Sequence, residues 1–137
     1  MKFETETFLT VQFYDLDPMN VVWHGNYIKY LETARCELLA KLGYDYESMK
    51  QDNVMYPVAT MEMKYIKPCL FQQKLRILSS LEEIEPCMII KYTIFDAETG
   101  EKIFKAKTMQ ICVNAITKES LYSAPEGLKE KLACCKL

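Results

Sequence analysis

Most of the chain alternates between apolar and polar residues, which is the pattern of β-strands with one buried face. The first alternating segment runs from Thr7 to Tyr14, with Leu9, Val11 and Phe13 on one face. After residue 60 the alternation returns in four further segments, whose apolar positions are Met61, Met63 and Tyr65, then Leu75, Ile77 and Leu81, then Met88, Ile90, Tyr92 and Ile94, and finally alternate residues between Lys102 and Ala115. In the last segment the apolar residues change parity, which predicts a β-bulge or a change in the covered face.

Between the first strand and the others lies a segment with a helical period. From Asn26 to Leu42 the apolar residues recur at spacings of three and four, which predicts an amphipathic helix of about four to five turns. Asn26 is the predicted N-cap, and Gly43 is the residue expected to end the helix. A second, short helix is predicted from Pro125 to Ala133.

The order of these elements is strand, long helix, four strands and short helix. It predicts an α+β fold with an antiparallel sheet of about five strands around the helix. Short connections favour a meander, in which consecutive strands pair. One amphipathic helix covers only one face of such a sheet, so the remaining apolar surface and the sheet edges favour a dimer. The length suits a single domain over residues 1–137.

Composition excludes several classes of function. The net charge of −2 is too small and of the wrong sign for a general nucleic-acid binder. The six cysteines include no CxxC pair, and a lone His24 does not complete a zinc site of normal spacing, so we expect reduced thiols and no bound metal. The first residues contain no long apolar stretch, so we expect no signal peptide and no membrane insertion. This favours a cytoplasmic protein.

The loop before the long helix, from Tyr14 to Tyr27, holds the residues best suited to chemistry. Asp15, Asp17, His24 and Gly25 fall there, immediately before a helix N-terminus whose unpaired amides and dipole favour a developing negative charge. Gly25 leaves space for the close approach of a carbonyl oxygen. Such amide donors, together with a carboxylate that activates water or attacks directly, are sufficient to cleave a thioester, because the thiolate departs without strong acid assistance.

The same loop resembles the signature of a known family. The residues are Asp15-x-Asp17-Pro18, then Val21-Val22-Trp23-His24-Gly25-Asn26-Tyr27, then Tyr30-Leu31-Glu32-Thr33-Ala34-Arg35. They resemble hot-dog-fold thioesterases of the 4-hydroxybenzoyl-CoA thioesterase-like group, which includes small acyl-CoA thioesterases associated with the Tol-Pal envelope system. The resemblance implies hydrolysis of an acyl-CoA thioester to free acid and CoA, with no cofactor beyond the coenzyme A of the substrate. It also implies an acyl-CoA site at a subunit interface, in homodimers that often pair into homotetramers.

The resemblance also assigns roles within the site. Asp17 is the implied catalytic carboxylate, and a backbone amide at the helix start, in the position of His24 beside Gly25, is the implied oxyanion donor. The residues expected to surround the substrate are Trp23, Asn26 and Tyr27. Asp15 is interpreted as structural. Whether the His24 imidazole takes part, and whether Asp17 is a general base or a nucleophile, both stay open.

One departure from the family concerns the phosphates of CoA. Some relatives bind them with a basic cluster between the third and fourth strands, whereas the corresponding stretch here, Leu81 to Cys87, is acidic. The candidate phosphate contacts are Lys64, Lys67 and Arg76, and an acyl-carrier-protein thioester is an alternative substrate. The basic stretch Lys102, Lys105 and Lys107 is interpreted as a solvated strand face.

Two other functions fit the same sequence. A hydratase acting on acyl-CoA or acyl-carrier substrates would use a histidine–carboxylate pair. His24 keeps that alternative open, while the Asp-x-Asp-Pro loop argues against it. A non-catalytic acyl-CoA-binding partner protein would retain the fold without turnover, and the intact Asp17 argues against it.

Overall fold

The computed structural model describes residues 3–135 and contains a five-stranded antiparallel sheet packed on one long helix. The helices are α1 (Asn26–Leu42), α2 (Tyr46–Gln51) and α3 (Glu126–Cys134). The strands are β1 (Phe3–Thr10), β2 (Val54–Met55), β3 (Val58–Tyr65), β4 (Lys74–Glu83), β5 (Met88–Asp96), β6 (Lys102–Gln110), β7 (Cys112–Asn114) and β8 (Ser120–Leu121). The large sheet has the order β1-β4-β5-β6-β3, and β2, β7 and β8 form a small second sheet. These elements confirm the predicted α+β fold.

The helix α1 has the predicted bounds because its sequence determines them locally. Its inward residues Leu31, Ala34 and Leu38 are fully buried, and α1 packs against β1 and β4. Gly43 ends the helix in the left-handed region, with φ of 87°, where glycine meets no steric penalty. The predicted N-cap is wrong by one residue: Gly25 is the N-cap, and no side chain caps the first turn.

The first strand begins and ends earlier than predicted. The segment Thr7 to Tyr14 was expected to be extended, but β1 ends at Thr10 and Phe13 begins a short 3-10 helix. The buried positions of β1 are Thr5 and Thr7, which an apolar–polar pattern counts as polar. Thr7 tolerates burial because its hydroxyl donates a hydrogen bond to Glu37 Oε1 at 3.0 Å.

Pairing of consecutive strands holds for β4, β5 and β6 but not for β3. The edge of β4 that β3 would need is occupied by β1, which pairs with β4 from Phe3↔Leu81 to Thr10↔Lys74. The strand β3 therefore pairs with β6, at the opposite edge of the sheet. The meander prediction is wrong for this strand because it considered neighbours along the chain rather than the edges left free.

The last predicted strand, Lys102 to Ala115, is two strands. The strand β6 ends at Gln110, and β7 then pairs with β2 and β8 instead of continuing in the large sheet. The covered face does not change where the apolar residues change parity: Phe104, Ala106, Thr108 and Gln110 are all buried, and the pattern shifts because Thr108 and Gln110 are polar. The helix α3 lies within one residue of its predicted bounds, whereas α2 was not predicted.

Candidate functional site

Asp17 lies at the tip of a tight hairpin turn before α1. An isolated bridge joins Leu16 to Val22, the Asp17 amide donates to the Val21 carbonyl at 2.9 Å, and the Asn20 amide donates to the Asp17 carbonyl at 2.9 Å. The carboxylate Oδ1 of Asp17 accepts the Met19 amide at 2.8 Å. The other oxygen, Oδ2, has no hydrogen-bond partner within residues 3–135. Asp17 thus shapes the turn with one oxygen and keeps the second available.

Asp15 is buried, and its carboxylate is hydrogen-bonded. Its Oδ2 accepts the Tyr30 hydroxyl at 2.8 Å and the Gln12 amide at 2.9 Å. Burial first, and then the hydrogen bond to Asp15, hold the pKa of Tyr30 well above its usual value, so the phenol stays a donor. Asp15 therefore ties the loop to α1, which agrees with the structural role predicted for it.

The amides at the start of α1 divide into engaged and free groups. The Val22 amide donates to the Cys69 carbonyl at 2.9 Å, the Trp23 amide to the Asp15 carbonyl at 3.0 Å, and the Asn26 amide to the Trp23 carbonyl at 2.8 Å. In the described part of the chain, no acceptor is paired with the amide N–H of His24 or of Gly25. Two adjacent unpaired donors at the positive end of a 17-residue helix form an anion-binding position.

The indole ring of Trp23 packs closely against Gly25. A Cβ at this position would lie 2.3 Å from Cζ3 and 2.5 Å from Cη2 of Trp23, closer than real contacts allow. The φ of Gly25 is −69°, which any residue adopts, so the need is for space alone. The half-exposed indole of Trp23 lies on this side of Gly25, and the approach of a substrate oxygen to Gly25 stays a prediction.

The side chain of Asn26 faces inward. Asn26 is buried, and its Nδ2 donates to the Asp15 carbonyl at 2.8 Å. It therefore fixes the loop to the first turn of α1. The side-chain nitrogen of Asn26 is thus already hydrogen-bonded within the protein. Contact between Asn26 and the substrate stays a prediction.

A cavity of about 320 Å³ opens beside His24. Its lining residues are Val22, His24, Tyr27, Tyr65, Ile66, Lys67 and Pro68. The Tyr65 hydroxyl donates to the His24 carbonyl oxygen at 2.9 Å. The Tyr65 ring contacts the rings of Tyr27 and Phe104, each at 5.0 Å between centroids. Burial, and to a smaller extent contact with Cys69, raise the pKa of Tyr27 far above neutrality, so its ring is an uncharged wall of the cavity.

The predicted site residues are only partly brought together. His24, Tyr27 and Lys67 line the cavity, and Trp23, Gly25 and Asn26 adjoin it along the chain, but Asp17 is not a lining residue. Lys67 forms an ion pair with Glu101. Lys64 lies on the opposite face of β3 and lines a second cavity. The third candidate phosphate contact, Arg76, pairs with Glu6 at 2.6 Å and lies over the Phe95 ring.

Tyr65 is the site residue that sequence reasoning missed. It is 41 positions from His24, and its only signal was its place as the last inward apolar residue of a predicted strand. The contact between Tyr65 and His24 depends on the pairing of β3 with β6. The sequence pattern did not predict that pairing.

The described residues contain neither a metal-ligand cluster nor a membrane-spanning helix. Between residues 3 and 135, no group of three or more His, Cys, Asp or Glu side chains is arranged to hold a metal ion. No helix in that range has both the length and the apolar character to cross a membrane.

Comparison with known proteins identifies the family. Residues 11–132 match the thioesterase-like superfamily. The long-chain acyl-CoA thioesterase FadM of Escherichia coli (strain K12) is 27% identical over 129 residues, which cover 93% of this chain and 96% of FadM. The acyl-CoA thioester hydrolase YbgC of Escherichia coli O6:H1 is 23% identical over 107 residues, covering 77% of this chain and 79% of YbgC.

A solved structure agrees with the sequence relatives. The structure of DHNA-CoA thioesterase from Staphylococcus aureus superposes with a TM-score of 0.86 at 25% identity, covering 97% of this chain and 91% of that one. The match extends over the whole arrangement of sheet and helix, which confirms the hot-dog fold that the loop signature implied. The chain belongs to the thioesterase-like superfamily.

Proposed function

We propose that this protein hydrolyses an acyl-CoA thioester to a free carboxylic acid and CoA. The observation that carries the proposal is the pair of unpaired amides, His24 N–H and Gly25 N–H, at the positive end of α1 beside a cavity. The relatives named acyl-CoA thioesterase and thioester hydrolase support this reaction class.

The amide pair supplies the oxyanion site. As the thioester carbonyl becomes tetrahedral, negative charge develops on its oxygen, and fixed N–H donors stabilise that charge more than the ground state. One donor of this kind contributes roughly 3 kcal/mol to lowering the barrier. The donors belong to backbone, so their direction is set by the fold and no side-chain rotation is needed.

Tyr65 orients one of these donors. Its hydroxyl holds the carbonyl of His24, which belongs to the same rigid peptide plane as the Gly25 N–H. Fixing the carbonyl on one side of that plane fixes the N–H on the other. The ring contacts of Tyr65 with Tyr27 and Phe104 keep the hydroxyl in place. Tyr65 is therefore a positioning residue for the oxyanion site.

Asp17 supplies the catalytic carboxylate. As a general base, its free carboxylate oxygen takes a proton from water while the water oxygen bonds to the carbonyl carbon. The C–S bond then breaks, and the proton passes to the departing thiolate. As a nucleophile, the same oxygen bonds to the carbonyl carbon and expels the thiolate, and water then hydrolyses the mixed anhydride. The Met19 amide on Oδ1 orients the carboxylate in either route.

A second copy of the chain completes the site in this proposal. The strand β3 lies at a sheet edge, and its side chains Met63 and Tyr65 remain 37% and 44% exposed although Tyr65 faces the α1 side. Apolar side chains beside an open strand edge are typical of an interface between copies. We therefore expect a homodimer formed along β3 at least, with pairing of dimers into a homotetramer as a further possibility of the fold.

The test is a thiol-release assay over a panel of acyl-CoAs, comparing the native protein with Asp17→Asn. The asparagine Oδ1 still accepts the Met19 amide, so the turn is preserved while the free carboxylate is lost. We expect at least a hundredfold loss of kcat, about 2.7 kcal/mol in the barrier.

The matched control is Asp45→Asn, the same chemical change at an exposed helix N-cap, where asparagine caps equally well. Retention of more than a tenth of native activity by Asp17→Asn would overturn the assignment. Hydration of an enoyl-CoA without thiol release would favour a hydratase, and tight acyl-CoA binding without turnover would favour a non-catalytic binder.

A further inference from the structure

The strand β3, at the open edge of the large sheet, presents backbone groups to that edge at every second residue. The Ile66 amide, just after β3, donates to the Ile103 carbonyl of β6 at 2.9 Å. In an antiparallel ladder the residues of one strand alternate between those that bond to the neighbouring strand and those that point away from it. The backbone groups of Met61, Met63 and Tyr65 therefore point away from β6. Another strand can pair with this edge through these three residues.

Two residues of opposite charge, Glu62 and Lys64, alternate with them on the other face of the sheet. Tyr65 contacts Tyr27 of α1, so alternation directs Glu62 and Lys64 away from the helix. Both are exposed, and between residues 3 and 135 neither forms an ion pair. Strand register sets Lys64 opposite Lys105 of β6, a like charge that destabilises the pairing. On the open side of β3, Lys64 can receive a carboxylate.

A second copy of the chain supplies that carboxylate. Copies in a homodimer are related by a twofold axis, so any contact of residue i with residue j is repeated as j with i. If two antiparallel β3 strands pair about an axis at Met63, Glu62 lies opposite Lys64 of the partner subunit, and Lys64 lies opposite the partner's Glu62. The same axis sets Tyr65 opposite the partner's Met61, so apolar side chains meet on the α1 side.

Other positions of the axis are less favourable. An axis at Glu62 sets two glutamates opposite each other, and an axis at Lys64 sets two lysines opposite each other, which destabilises the pairing. An axis at Met61 or at Tyr65 leaves both charges opposite uncharged residues. An axis between two residues would set backbone groups that point to the open edge against groups that face β6, and would mix the two faces of the sheet.

We propose that two copies pair through β3 in this register, with the twofold axis at Met63 and an ion pair between Glu62 and the partner's Lys64 on each side of it. The proposal rests on the homodimer of the proposed function and specifies which partner residue completes each site. Side chains directly opposite on paired strands have Cβ atoms about 4.5–5.5 Å apart. Met61 of the partner subunit therefore lies beside Tyr65, whose hydroxyl holds the His24 carbonyl. In this register Lys64 pairs with protein rather than with a phosphate of the substrate.

The experiment reverses each charge and then both. Glu62→Lys sets like charges opposite each other at both pairs, and Lys64→Glu does the same with carboxylates, so we expect each to raise the dimer dissociation constant at least tenfold. The double variant Glu62→Lys/Lys64→Glu restores opposite charges, and its constant should lie within threefold of native. Sedimentation velocity over a dilution series measures the constants without substrate. The matched controls, Glu4→Lys and Lys74→Glu, make the same changes at exposed positions outside β3 and should not alter the constant.

Mixing the two single variants separates a contact between copies from an effect within one chain. A Glu62→Lys copy and a Lys64→Glu copy carry opposite charges at both pairs, so their heterodimer should dissociate with a constant within threefold of native. The inference is overturned if the single variants associate as tightly as native, if the double variant and the mixture stay as weak as the single variants, or if the native protein stays monomeric. Because association is measured without substrate, a failure to release thiol contradicts the proposed function and leaves this test valid.

A cysteine at the axis measures the register directly. The Cα atoms of a hydrogen-bonded antiparallel pair lie roughly 5.5 Å apart, within the range of about 4.4–6.8 Å that a disulfide spans. Treatment of Met63→Cys with oxidised glutathione should therefore join two copies through position 63, as identified by mass spectrometry among the six native cysteines. The control Met61→Cys should give no such link at position 61. A link through position 61 and none through position 63 would place the axis elsewhere and overturn the inference.

Discussion

The two edges of the large sheet are built from strands of the same length, yet only one of them is covered. In β1 the inward residues Thr5 and Thr7 are buried beneath α1, and the Thr7 hydroxyl is bonded to Glu37 of that helix. In β3 every residue except the half-buried Met61 is exposed, including apolar side chains on the inward face.

The difference follows from the reach of a single helix. The helix α1 packs against β1 and β4, so β3, which lies three strands beyond β4, is left mostly uncovered and meets α1 through the contact of Tyr65 with Tyr27. The candidate site lies at this uncovered edge, since Tyr65 belongs to β3 and contacts the loop before α1. The covered edge provides stability, and the open edge provides the surface on which we place catalysis and association.

Removing a side chain from beneath the covered edge should have the largest effect. Leu38 of α1 is fully buried among the core residues. We expect Leu38→Ala to lower the free energy of unfolding by about 2–5 kcal/mol, from lost burial and the remaining cavity. Urea denaturation monitored by circular dichroism measures this. A loss below about 1 kcal/mol would mean that α1 does not anchor the covered edge as described.

A charge on the inward face of the open edge should separate the copies. Met61 lies on β3 with the same parity as Tyr65. We expect Met61→Glu to raise the dimer dissociation constant at least a hundredfold, about 2.7 kcal/mol. The reason is that an unpaired carboxylate would be buried in the interface. Sedimentation velocity over a dilution series measures the constant. The control is Phe8→Glu, at an exposed position of β1. If both variants changed the dissociation constant equally, β3 would not be the edge at which the copies associate.

Removing one hydroxyl at the open edge should have the smallest of these effects. Tyr65→Phe keeps the ring contacts with Tyr27 and Phe104. It loses the hydrogen bond to the His24 carbonyl and the weaker one to Met63 Sδ at 3.8 Å. We expect kcat to fall about five- to tenfold, roughly 1–1.4 kcal/mol, with KM within twofold, because the hydroxyl orients the oxyanion donor without holding substrate. Tyr122→Phe, at a well exposed tyrosine, is the control. A rise in KM with kcat unchanged would place Tyr65 in substrate binding instead.

The sequence predicted elements whose signal is local and missed those that depend on the whole fold. The period of three and four and the final Gly43 determine α1, and alternation determines β4 and β5. The predicted bounds of the first strand were displaced toward the C-terminus, because its buried positions are threonines and the apolar–polar pattern counts threonine as polar. The pairing of β3 with β6 depends on which edge β1 leaves free, and no property of β3 itself records that.

The candidate site divides in the same way. The loop motif indicated Asp17, His24 and Gly25 because they lie within a short stretch. The role of Tyr65 could not be predicted, because strand pairing, rather than spacing along the chain, brings it to His24. Lys105 and Lys107 were predicted to be a solvated strand face. They do face solvent, and the additional information is the register that sets them opposite Lys64 and Lys91.

The packing of Trp23 over Gly25 has a practical consequence. Trp23 is the only tryptophan in the chain, and its indole is half-exposed beside the free amides. Excitation at a wavelength that tyrosine absorbs weakly therefore yields emission from this one position. A shift of that emission as ligand is added would report occupancy of the site without any attached label.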